Sequence, residues 1–279
     1  MTPIRQQTIL ITGTTSGLGR ELAKSLASKG ATVLLHGRDA TLGSKIRAEI
    51  KQQSGNDKLH FYQADLASLR ETAALARVII GGHERLDTLV NNAAVGFGKD
   101  VSKREESHDG YELRFAVNYL APYVLTKNLL PLLTGSAPAR IVNVASVGQA
   151  PLDFKDLMLR RTYNGVTAYR QSKLAMIAWT FDLAEQLNGS GVTVNALHPA
   201  SLMPTKMVLE AGWNVMSSVE EGLAATMRLI VAPELDGVTG EFFDGLRPSR
   251  AIPQAYDKKV RKELASVTRE LVSMGGVHS

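Results

Sequence analysis

The 279-residue chain contains no cysteine, which removes two classes of site at once. Without thiols there are no disulfide bonds and no thiolate ligands for zinc or iron–sulfur clusters. Such a sequence is compatible with a reducing compartment, and we expect a cytoplasmic protein. The six histidines show no spacing typical of a metal site, so we expect no metal ion either.

Long apolar runs are also missing. No stretch approaches the roughly 18 uninterrupted apolar residues of a membrane span, and only Arg5 precedes a short strand-like segment at the N-terminus. We therefore expect neither a membrane span nor a signal peptide. The basic residues behind the net charge of +5 are interleaved with acids, and the sequence has no zinc-finger spacing and no RNA-binding aromatic signature. Binding to nucleic acid is accordingly not expected.

What the sequence does contain is a regular alternation of strand-like and helix-like runs, which is typical of a doubly wound parallel sheet. No linker or repeat divides the chain, so we predict one Rossmann-type α/β domain over residues 1–279, with helices on both faces of the sheet. The predicted strands are 8–12, 32–36, 59–63, 86–91, 140–145, 193–197 and 241–243. The predicted helices are 18–28, 40–52, 68–80, 109–133, 168–187, 218–231 and 256–274.

A glycine-rich turn follows the first predicted strand and opens the first helix. Glycines there allow a tight turn and a close approach of the backbone to a pyrophosphate, whose charge the helix N-terminus stabilises. The spacing is Gly-xxx-Gly-x-Gly, which differs from the ordinary dinucleotide fingerprint, and a ligand-free loop remains the alternative. The candidate cofactor-binding residues of this turn are Gly13, Thr15, Ser16, Gly17, Leu18 and Gly19.

A possible proton donor lies further along the chain. Tyr169 and Lys173 are four residues apart on a predicted helix, so their side chains share one face. A nearby ammonium favours the phenolate and is expected to lower the pKa of Tyr169 towards working pH. That property suits a general acid or base, although such pairs also occur by chance on helix surfaces.

Several motifs in one order resemble the short-chain dehydrogenase/reductase family over about residues 8–245. Within it the chain is most similar to the branch of the retinol dehydrogenases and protochlorophyllide reductases. The long interval between Ser146 and Tyr169 and the Thr239-to-Gly245 stretch suggest this branch. The motifs are Thr12-Gly13-xxx-Gly17-x-Gly19, Asp65-Leu66, Asn91-Asn92-Ala93, Asn118, Ser146, Tyr169-xxx-Lys173 and His198-Pro199.

The resemblance implies a catalytic set of four residues. Tyr169 exchanges the proton, while Lys173 lowers the pKa of Tyr169 and binds the ribose of the nicotinamide. Ser146, at the end of the fifth predicted strand, donates to the substrate carbonyl, and Asn118 holds a water that links Lys173 to solvent. Simpler roles stay open, since Ser146 could cap a strand end and Asn118 could be a satisfied polar group in a helix.

The choice of cofactor is predicted at the end of the second strand. The family position that holds an acid in NAD enzymes is Gly37 here, and Arg38 follows it. A guanidinium suits the 2′-phosphate of NADP(H), so we expect that cofactor. Asp39 argues the other way if it reaches the ribose, and Arg38 could be a solvated loop charge.

The family implies four further cofactor contacts. Asp65 and Leu66 lie towards the adenine, with a helix cap as the alternative for Asp65; Asn92 lies by the ribose, and Pro199 follows the sixth strand. Ala94 and Ala200 replace usual glycines, and Thr205 lies one residue later than the family threonine, which makes its contact to the carboxamide doubtful. His198 is interpreted as a structural loop residue rather than a base.

Two segments outside these motifs have candidate roles. Residues 200–217 are apolar and predict either a lid over a lipophilic substrate or a helix packed on the core; Met207 belongs to this set. Residues 255–275 form an amphipathic extension that packs on the sheet or on a subunit partner. The aromatic residues of the helices at 109–133 and 168–187 predict a homodimer or homotetramer, unless the terminal helix covers them.

Together these features predict an NADP(H)-dependent oxidoreductase acting on a small to medium, fairly apolar carbonyl or alcohol. Its partners are expected to be a small-molecule substrate and further copies of the chain. One rival is a reductase of an activated double bond, as in the protochlorophyllide branch. The other is a catalytically silent NADP(H)-sensing protein, which the intact catalytic set disfavours.

Overall fold

The computed structural model describes residues 2–205, 208–209 and 212–276. Within them, strands form one sheet in the order β3-β2-β1-β4-β5-β6-β7-β8, parallel except for β8. The predicted Rossmann-type α/β fold is confirmed, and the short antiparallel edge strand β8 was not predicted. The strands are β1 (Thr8–Ile11), β2 (Thr32–Gly37), β3 (Leu59–Gln63), β4 (Thr88–Asn91), β5 (Ala139–Val144), β6 (Val192–His198), β7 (Phe242–Asp244) and β8 (Arg247–Ser249).

Most helices begin where a polar side chain accepts a hydrogen bond from the first turn. Ser68, Asn164 and Asp257 cap their helices in this way. In the described part of the chain, none of the helices has the length and apolar character needed to cross a membrane. The helices are α1 (Gly17–Ser28), α2 (Ala40–Ser54), α3 (Leu69–Gly82), α4 (Leu113–Phe115), α5 (Ala121–Gly135), α6 (Gly165–Gln186), α7 (Val219–Val231) and α8 (Lys258–Met274).

Helices cover both faces of the sheet because the strands are apolar on both sides. Side chains alternate along a strand, so Leu10 packs with α3, α5 and α6, while Ile9 and Ile11 pack with α1, α2 and α7. All three side chains are fully buried. The carboxyl ends of the parallel strands therefore meet at one edge of a rigid sheet, where loops present their side chains.

The predicted helix over residues 109–133 differs from the structure. Gly110 has a φ of +78°, in the left-handed region, so the helix starts only at Leu113, where Glu112 caps it. A π-helical turn over Ala116–Leu120 then precedes α5. Such turns commonly mark functional positions, and this one contains Asn118.

The C-terminal helix α8 lies against the π-helical turn and α6 of its own chain. Leu264 and Thr268 of α8 are buried in this contact. The Thr268 hydroxyl donates to the Leu264 carbonyl at 2.7 Å. It therefore accepts the hydrogen bond of 2.7 Å from the Tyr119 hydroxyl. At the end of α8, the Tyr111 hydroxyl donates to the Leu271 carbonyl at 2.6 Å.

This packing weakens the argument for a dimer from the large side chains of these helices. Tyr123 and Leu187 are half-buried, whereas the other side chains behind the argument are buried within the single chain, namely Tyr111, Phe115, Tyr119, Ile177 and Phe181. The alternative in which the terminal helix covers this surface is thus the one that the structure contains. A homodimer or homotetramer stays a prediction, without support from these side chains.

The Tyr119–Thr268 hydrogen bond is expected to hold α8 in place. Thr268→Val keeps the shape but leaves the Tyr119 hydroxyl buried without an acceptor, so we expect the free energy of unfolding to fall by about 1–3 kcal/mol. Urea unfolding of Thr268→Val, Tyr119→Phe and the double variant measures this. The double variant should lose less than the sum of the single losses; strictly additive losses would show that the two side chains are not coupled.

Candidate active site

A large cavity opens at the carboxyl edge of the sheet, where the strand order reverses between β1 and β4. Its volume is about 620 Å³. Crevices of this kind are where open α/β sheets bind ligands. All predicted site residues except Asn118 line it. Those residues are Gly13, Thr15, Ser16, Gly17, Leu18, Gly19, Arg38, Asp65, Leu66, Asn92, Ser146, Tyr169, Lys173 and Pro199.

The glycine turn forms one wall of the cavity and tolerates no larger side chains at two positions. Gly13 has a φ of +73°, and a Cβ there would lie 2.9 Å from the Ala93 Cα. A Cβ at Gly19 would overlap the Gly13 carbonyl oxygen. This close backbone packing leaves a cradle at the N-terminus of α1. The arrangement fits the pyrophosphate of a dinucleotide.

Thr12 joins the glycine turn to the loop after β4. Its hydroxyl oxygen accepts hydrogen bonds from the backbone N–H groups of Asn92 and Ala93, both at 3.0 Å. The Asn92 side chain donates back to the Thr12 carbonyl at 2.8 Å and to the Gly13 carbonyl at 3.2 Å. Asn92 therefore fixes the two sides of the crevice relative to each other, and its side-chain amide is already bonded to backbone.

His36, at the end of β2, supports the glycine turn from below, a role that sequence analysis missed. Its Nδ1 accepts from the Gly13 N–H at 3.2 Å, so its other nitrogen, Nε2, donates to the Ala64 carbonyl at 3.1 Å. Burial lowers the pKa of His36 to about 4, against smaller opposing effects from the Ala64 hydrogen bond and from Asp65. The imidazole is therefore a neutral spacer between the turn and the end of β3.

The side chains that follow β2 and β3 form the nucleotide end of the cavity. Arg38 lines the cavity and is exposed. The Asp39 carboxylate accepts from the Leu42 N–H at 2.9 Å as the cap of α2, which removes the observation that argued against a phosphate at Arg38. Asp65 accepts from the Ala67 N–H at 2.9 Å in a local turn, whereas Ser68 is the cap of α3.

Ser146 and Tyr169 lie on the opposite wall. The Ser146 hydroxyl oxygen accepts from the Gly148 N–H at 3.0 Å, which orients it at the end of β5. The Tyr169 ring packs edge to face against Phe97, with centroids 4.7 Å apart. Burial raises the pKa of Tyr169, and a hydrogen bond with Ser146 opposes the rise.

Lys173 lies one turn below Tyr169 and is buried. Its Nζ donates to the Val144 carbonyl at 2.8 Å and lies 5.6 Å from the centroid of the Tyr169 ring. Burial lowers the pKa of Lys173 to about 8. The expected decrease in the pKa of Tyr169 is therefore not found, because desolvation of the phenol outweighs the other influences on it.

Asn118 does not line the cavity but lies behind it, in the π-helical turn. Its side chain accepts from the Val95 N–H at 2.7 Å and donates to the Val95 carbonyl and to the Ser172 hydroxyl, both at 3.0 Å. Both amide hydrogens are thus used within the protein. The observed contacts connect α6 to the loop after β4, and the water-holding role implied by the family stays a prediction.

A buried line of polar groups fixes α6 against the sheet. The Asn91 amide donates to the Asn143 side-chain oxygen at 2.8 Å, and the Asn143 amide donates to the Thr180 hydroxyl at 2.9 Å. These bonds cross β4, β5 and α6 in turn. Buried polar networks of this kind specify one relative position of the elements, so they set where α6 presents Tyr169.

The apolar segment after β6 contributes to the cavity on the catalytic side. Trp213 stacks on Phe97 with centroids 4.4 Å apart, and Val208 and Met216 also line the cavity. Residues 206–207 and 210–211, including Met207, lie outside the described residues. Neither Phe97 nor Trp213 belongs to a recognisable motif, which is why sequence analysis gave Phe97 no role.

Two further residues at the end of β6 and in the segment after it were considered in the sequence analysis, His198 and Thr205. His198 is the last residue of β6, so its interpretation as a loop residue was wrong, and its ring forms a 3.0 Å hydrogen bond with the Ser201 hydroxyl. Thr205 also lines the cavity, and a Cβ at Gly17 would lie 3.2 Å from its Cγ2. The displaced threonine thus contacts the glycine turn, a position that its sequence spacing did not indicate.

Comparison with known proteins agrees with this geometry. A family model described as short chain dehydrogenase matches residues 7–212. Retinol dehydrogenase 13 of Mus musculus is 36% identical, with 98% of this chain and 85% of that protein covered. Retinol dehydrogenase 14 of Homo sapiens is 34% identical, with 96% and 87% covered.

Solved structures are similar along most of the chain. An uncharacterised protein from Mycobacterium paratuberculosis has a TM-score of 0.76 and 26% identity, covering 96% of this chain and 94% of its own. A short chain dehydrogenase from Escherichia coli CFT073, complexed with NADPH, has a TM-score of 0.71 and 26% identity, covering 87% and 97%. Salutaridine reductase from Papaver somniferum has a TM-score of 0.68 and 26% identity, covering 86% and 99%.

Protonation of His36 is expected to destabilise the glycine turn. The unfolded imidazole takes up a proton near pH 6.5, whereas the folded one resists until about pH 4, so its stabilising contribution is complete above about pH 6.5 and is lost as pH falls to about 4. That loss is about 3 kcal/mol at most. Chemical unfolding between pH 4 and 7 should therefore show the stability difference between wild type and His36→Gln narrowing in acid.

The control for this measurement is Gln52→Ala, a change at an exposed residue of α2 that carries no titrating group. Its unfolding free energy should follow that of the wild type across the same range. A constant difference between wild type and His36→Gln at every pH would contradict the assigned neutral state of His36.

Proposed function

Because this chain belongs to the short-chain dehydrogenase family, on the branch of the retinol dehydrogenases, we propose that it is an NADP(H)-dependent oxidoreductase of a carbonyl or alcohol. The observation that supports this most is the convergence of Ser146, Tyr169 and Lys173 on the cavity whose other wall is the glycine turn. The substrate is a small to medium, fairly apolar molecule. We also keep a cytoplasmic location as a prediction.

The residues that would hold the cofactor follow from the cavity. The glycine turn and the N-terminus of α1 would bind the pyrophosphate, Arg38 would bind the 2′-phosphate, and Asp65 would contact the adenine. Arg38 is exposed at the nucleotide end of the cavity, where a guanidinium can reach a 2′-phosphate. Asp39 is engaged as a helix cap rather than held towards the ribose, and both observations support NADP(H) over NAD(H). When bound, the nicotinamide supplies a hydride to the carbonyl carbon or accepts one from the alcohol.

The chain's own residues manage the proton and the charge on oxygen. In reduction, the Ser146 hydroxyl donates a hydrogen bond to the substrate oxygen and stabilises the negative charge that develops there. The Tyr169 hydroxyl then gives its proton to that oxygen, leaving a phenolate. The raised pKa of Tyr169 keeps the phenol protonated, and so ready to donate, at neutral pH.

Lys173 makes the phenolate possible. The ammonium below the ring offsets the charge left on Tyr169 after proton transfer. Its own pKa of about 8 means that a fraction of the amine is neutral at mildly alkaline pH. In the oxidation direction the same groups act in reverse, and Tyr169 removes the proton of the alcohol.

The apolar side chains on the catalytic side of the cavity support the proposal of a fairly apolar substrate. Phe97, Trp213 and Val147 line the cavity on the side of Ser146 and Tyr169. An apolar body packed on these side chains excludes water from the reacting carbonyl and strengthens the hydrogen bonds to it.

Removing the proposed acid should abolish most of the activity. For Tyr169→Phe we expect kcat to fall by at least about 100-fold, since the lost interaction belongs to the transition state, while NADPH affinity changes little. The measurement follows NADPH absorbance with a panel of aldehydes and ketones, alongside fluorescence titration with NADPH. Tyr123→Phe is the matched control away from the cavity and should keep normal turnover. Near wild-type turnover of Tyr169→Phe would remove Tyr169 from the mechanism.

The cofactor preference is tested separately at Arg38. Arg38→Ala should weaken NADPH binding by about 1.5–3 kcal/mol, the range of hydrogen bonds to charged groups, and leave NADH binding nearly unchanged. Calorimetric titration with both cofactors measures this, with Arg47→Ala, an exposed arginine on α2, as the control for overall charge. Equal losses for NADPH and NADH would identify Arg38 as a structural residue.

A further inference from the structure

Arg170 has no role in the function proposed so far, although it follows Tyr169 directly. Its side chain is exposed and lines the cavity. Within the described ranges, 2–205, 208–209 and 212–276, no hydrogen bond or ion pair of its guanidinium is found. The N–H groups of the guanidinium are therefore available to donate hydrogen bonds to a molecule bound in the cavity.

The two carboxylates in the segment before α6 pair with a different arginine. Asp153 and Asp156 belong to the segment that packs on the start of α6, where the Asp153 N–H donates to the Gln171 side chain at 3.0 Å. Both carboxylates pair with Arg161, at 4.0 and 3.5 Å. Arg170 therefore faces the cavity without a carboxylate of its own among the residues that the structure describes.

The place of Arg170 sets it apart from the other charged residues of the cavity. Arg38 and Asp65 follow β2 and β3 at the nucleotide end, and Lys173 is buried against the Val144 carbonyl. Arg170 is instead close to Gly148, since a Cβ on that glycine would lie 4.0 Å from the Arg170 Nε and 3.3 Å from the Ser146 Oγ. The guanidinium thus lies on the same side of the cavity as the hydroxyl that is proposed to bind the carbonyl.

The side chains around Arg170 also restrict the chemical class of molecule that can bind there. The neighbouring wall carries Phe97, Trp213, Val147 and Met216, all apolar. A molecule that uses both features has an apolar body and, a short distance from its carbonyl, a negative charge. A guanidinium binds a carboxylate through two parallel hydrogen bonds, which gives both affinity and orientation.

We propose that Arg170 is a specificity-determining residue that binds a carboxylate on the substrate, so that the enzyme acts on apolar carbonyl compounds carrying an acid group. This inference rests on the proposed oxidoreductase function. Arg170 acts by holding the substrate in place rather than by stabilising the reacting atoms. Its loss should consequently raise KM for acidic substrates far more than it lowers kcat.

The test uses two aldehydes that differ only in charge, para-formylbenzoate and its methyl ester. For wild type we expect a lower KM for the carboxylate than for the ester. In Arg170→Gln the KM for the carboxylate should rise about 10-fold or more, with the KM for the ester within about 2-fold, because only the acid loses a charge-assisted hydrogen bond. Arg170→Lys should restore part of the preference, since it keeps the charge but not the fork.

Binding without turnover separates this inference from the proposed function. Calorimetry measures the affinity of para-toluate, which has no reducible carbonyl, for wild type and Arg170→Gln in the presence of NADPH. Arg160→Gln, which removes an exposed arginine outside the cavity, is the matched control for net charge and should bind as wild type does. Binding by wild type and a loss of about 10-fold in Arg170→Gln alone support the inference, even if neither aldehyde is reduced.

Three results would overturn the assignment of Arg170. The first is equal losses for acid and ester in Arg170→Gln. The second is equal affinity of wild type and Arg170→Gln for para-toluate, and the third is no binding of para-toluate to wild type at millimolar concentration. An absence of NADPH oxidation with every carbonyl, together with intact binding that depends on Arg170, would instead contradict the oxidoreductase function and leave the anion site standing.

Discussion

The hydroxyl of Thr12 is the point on which the cavity depends. It lies where the sheet order reverses, and it binds two backbone N–H groups of the loop after β4. Asn92 returns two hydrogen bonds to the backbone of the glycine turn. These bonds set the distance between the two walls, and His36 sets the height of the turn above β2. Because the turn has no room for a Cβ at Gly19, small changes in these contacts are transmitted directly to the cradle.

Burial also shapes the chemistry of the opposite wall. Desolvation disfavours charge on any buried group, so it raises the pKa of Tyr169 and lowers the pKa of Lys173. The two values start close together in water, and burial moves them apart. The phenol therefore keeps its proton at neutral pH, ready to donate it, while the ammonium loses its proton more easily than in water. The pair works through this shared environment as well as through its spacing on α6.

Sequence reasoning was most accurate where local patterns are strong. The β1 run, the glycine turn and the start of α1 are recognisable because apolar β-branched residues, glycines and a helical period follow each other within about 20 residues. The helix boundaries near residue 110 were less predictable, since Gly110 and the π turn around Asn118 interrupt a continuous apolar period. The role of α8 was left open for a related reason. An amphipathic helix shows that one face is buried, but not which surface buries it.

The sequence by itself determined the alternation of strands and helices, the glycine turn, and the identities of Ser146, Tyr169 and Lys173 as candidates. Only the tertiary structure decided that α8 covers the π-helical turn and α6, that His36 is buried and neutral, and that Phe97 and Trp213 stack beside Tyr169. It also decided that Arg170 faces the cavity without a partner in the described chain, whereas Asp39 is used as a cap. The physical reason is that periodicity and turn chemistry act between near neighbours. Burial, pKa and side-chain pairing instead depend on residues that are distant in the chain and meet only after folding.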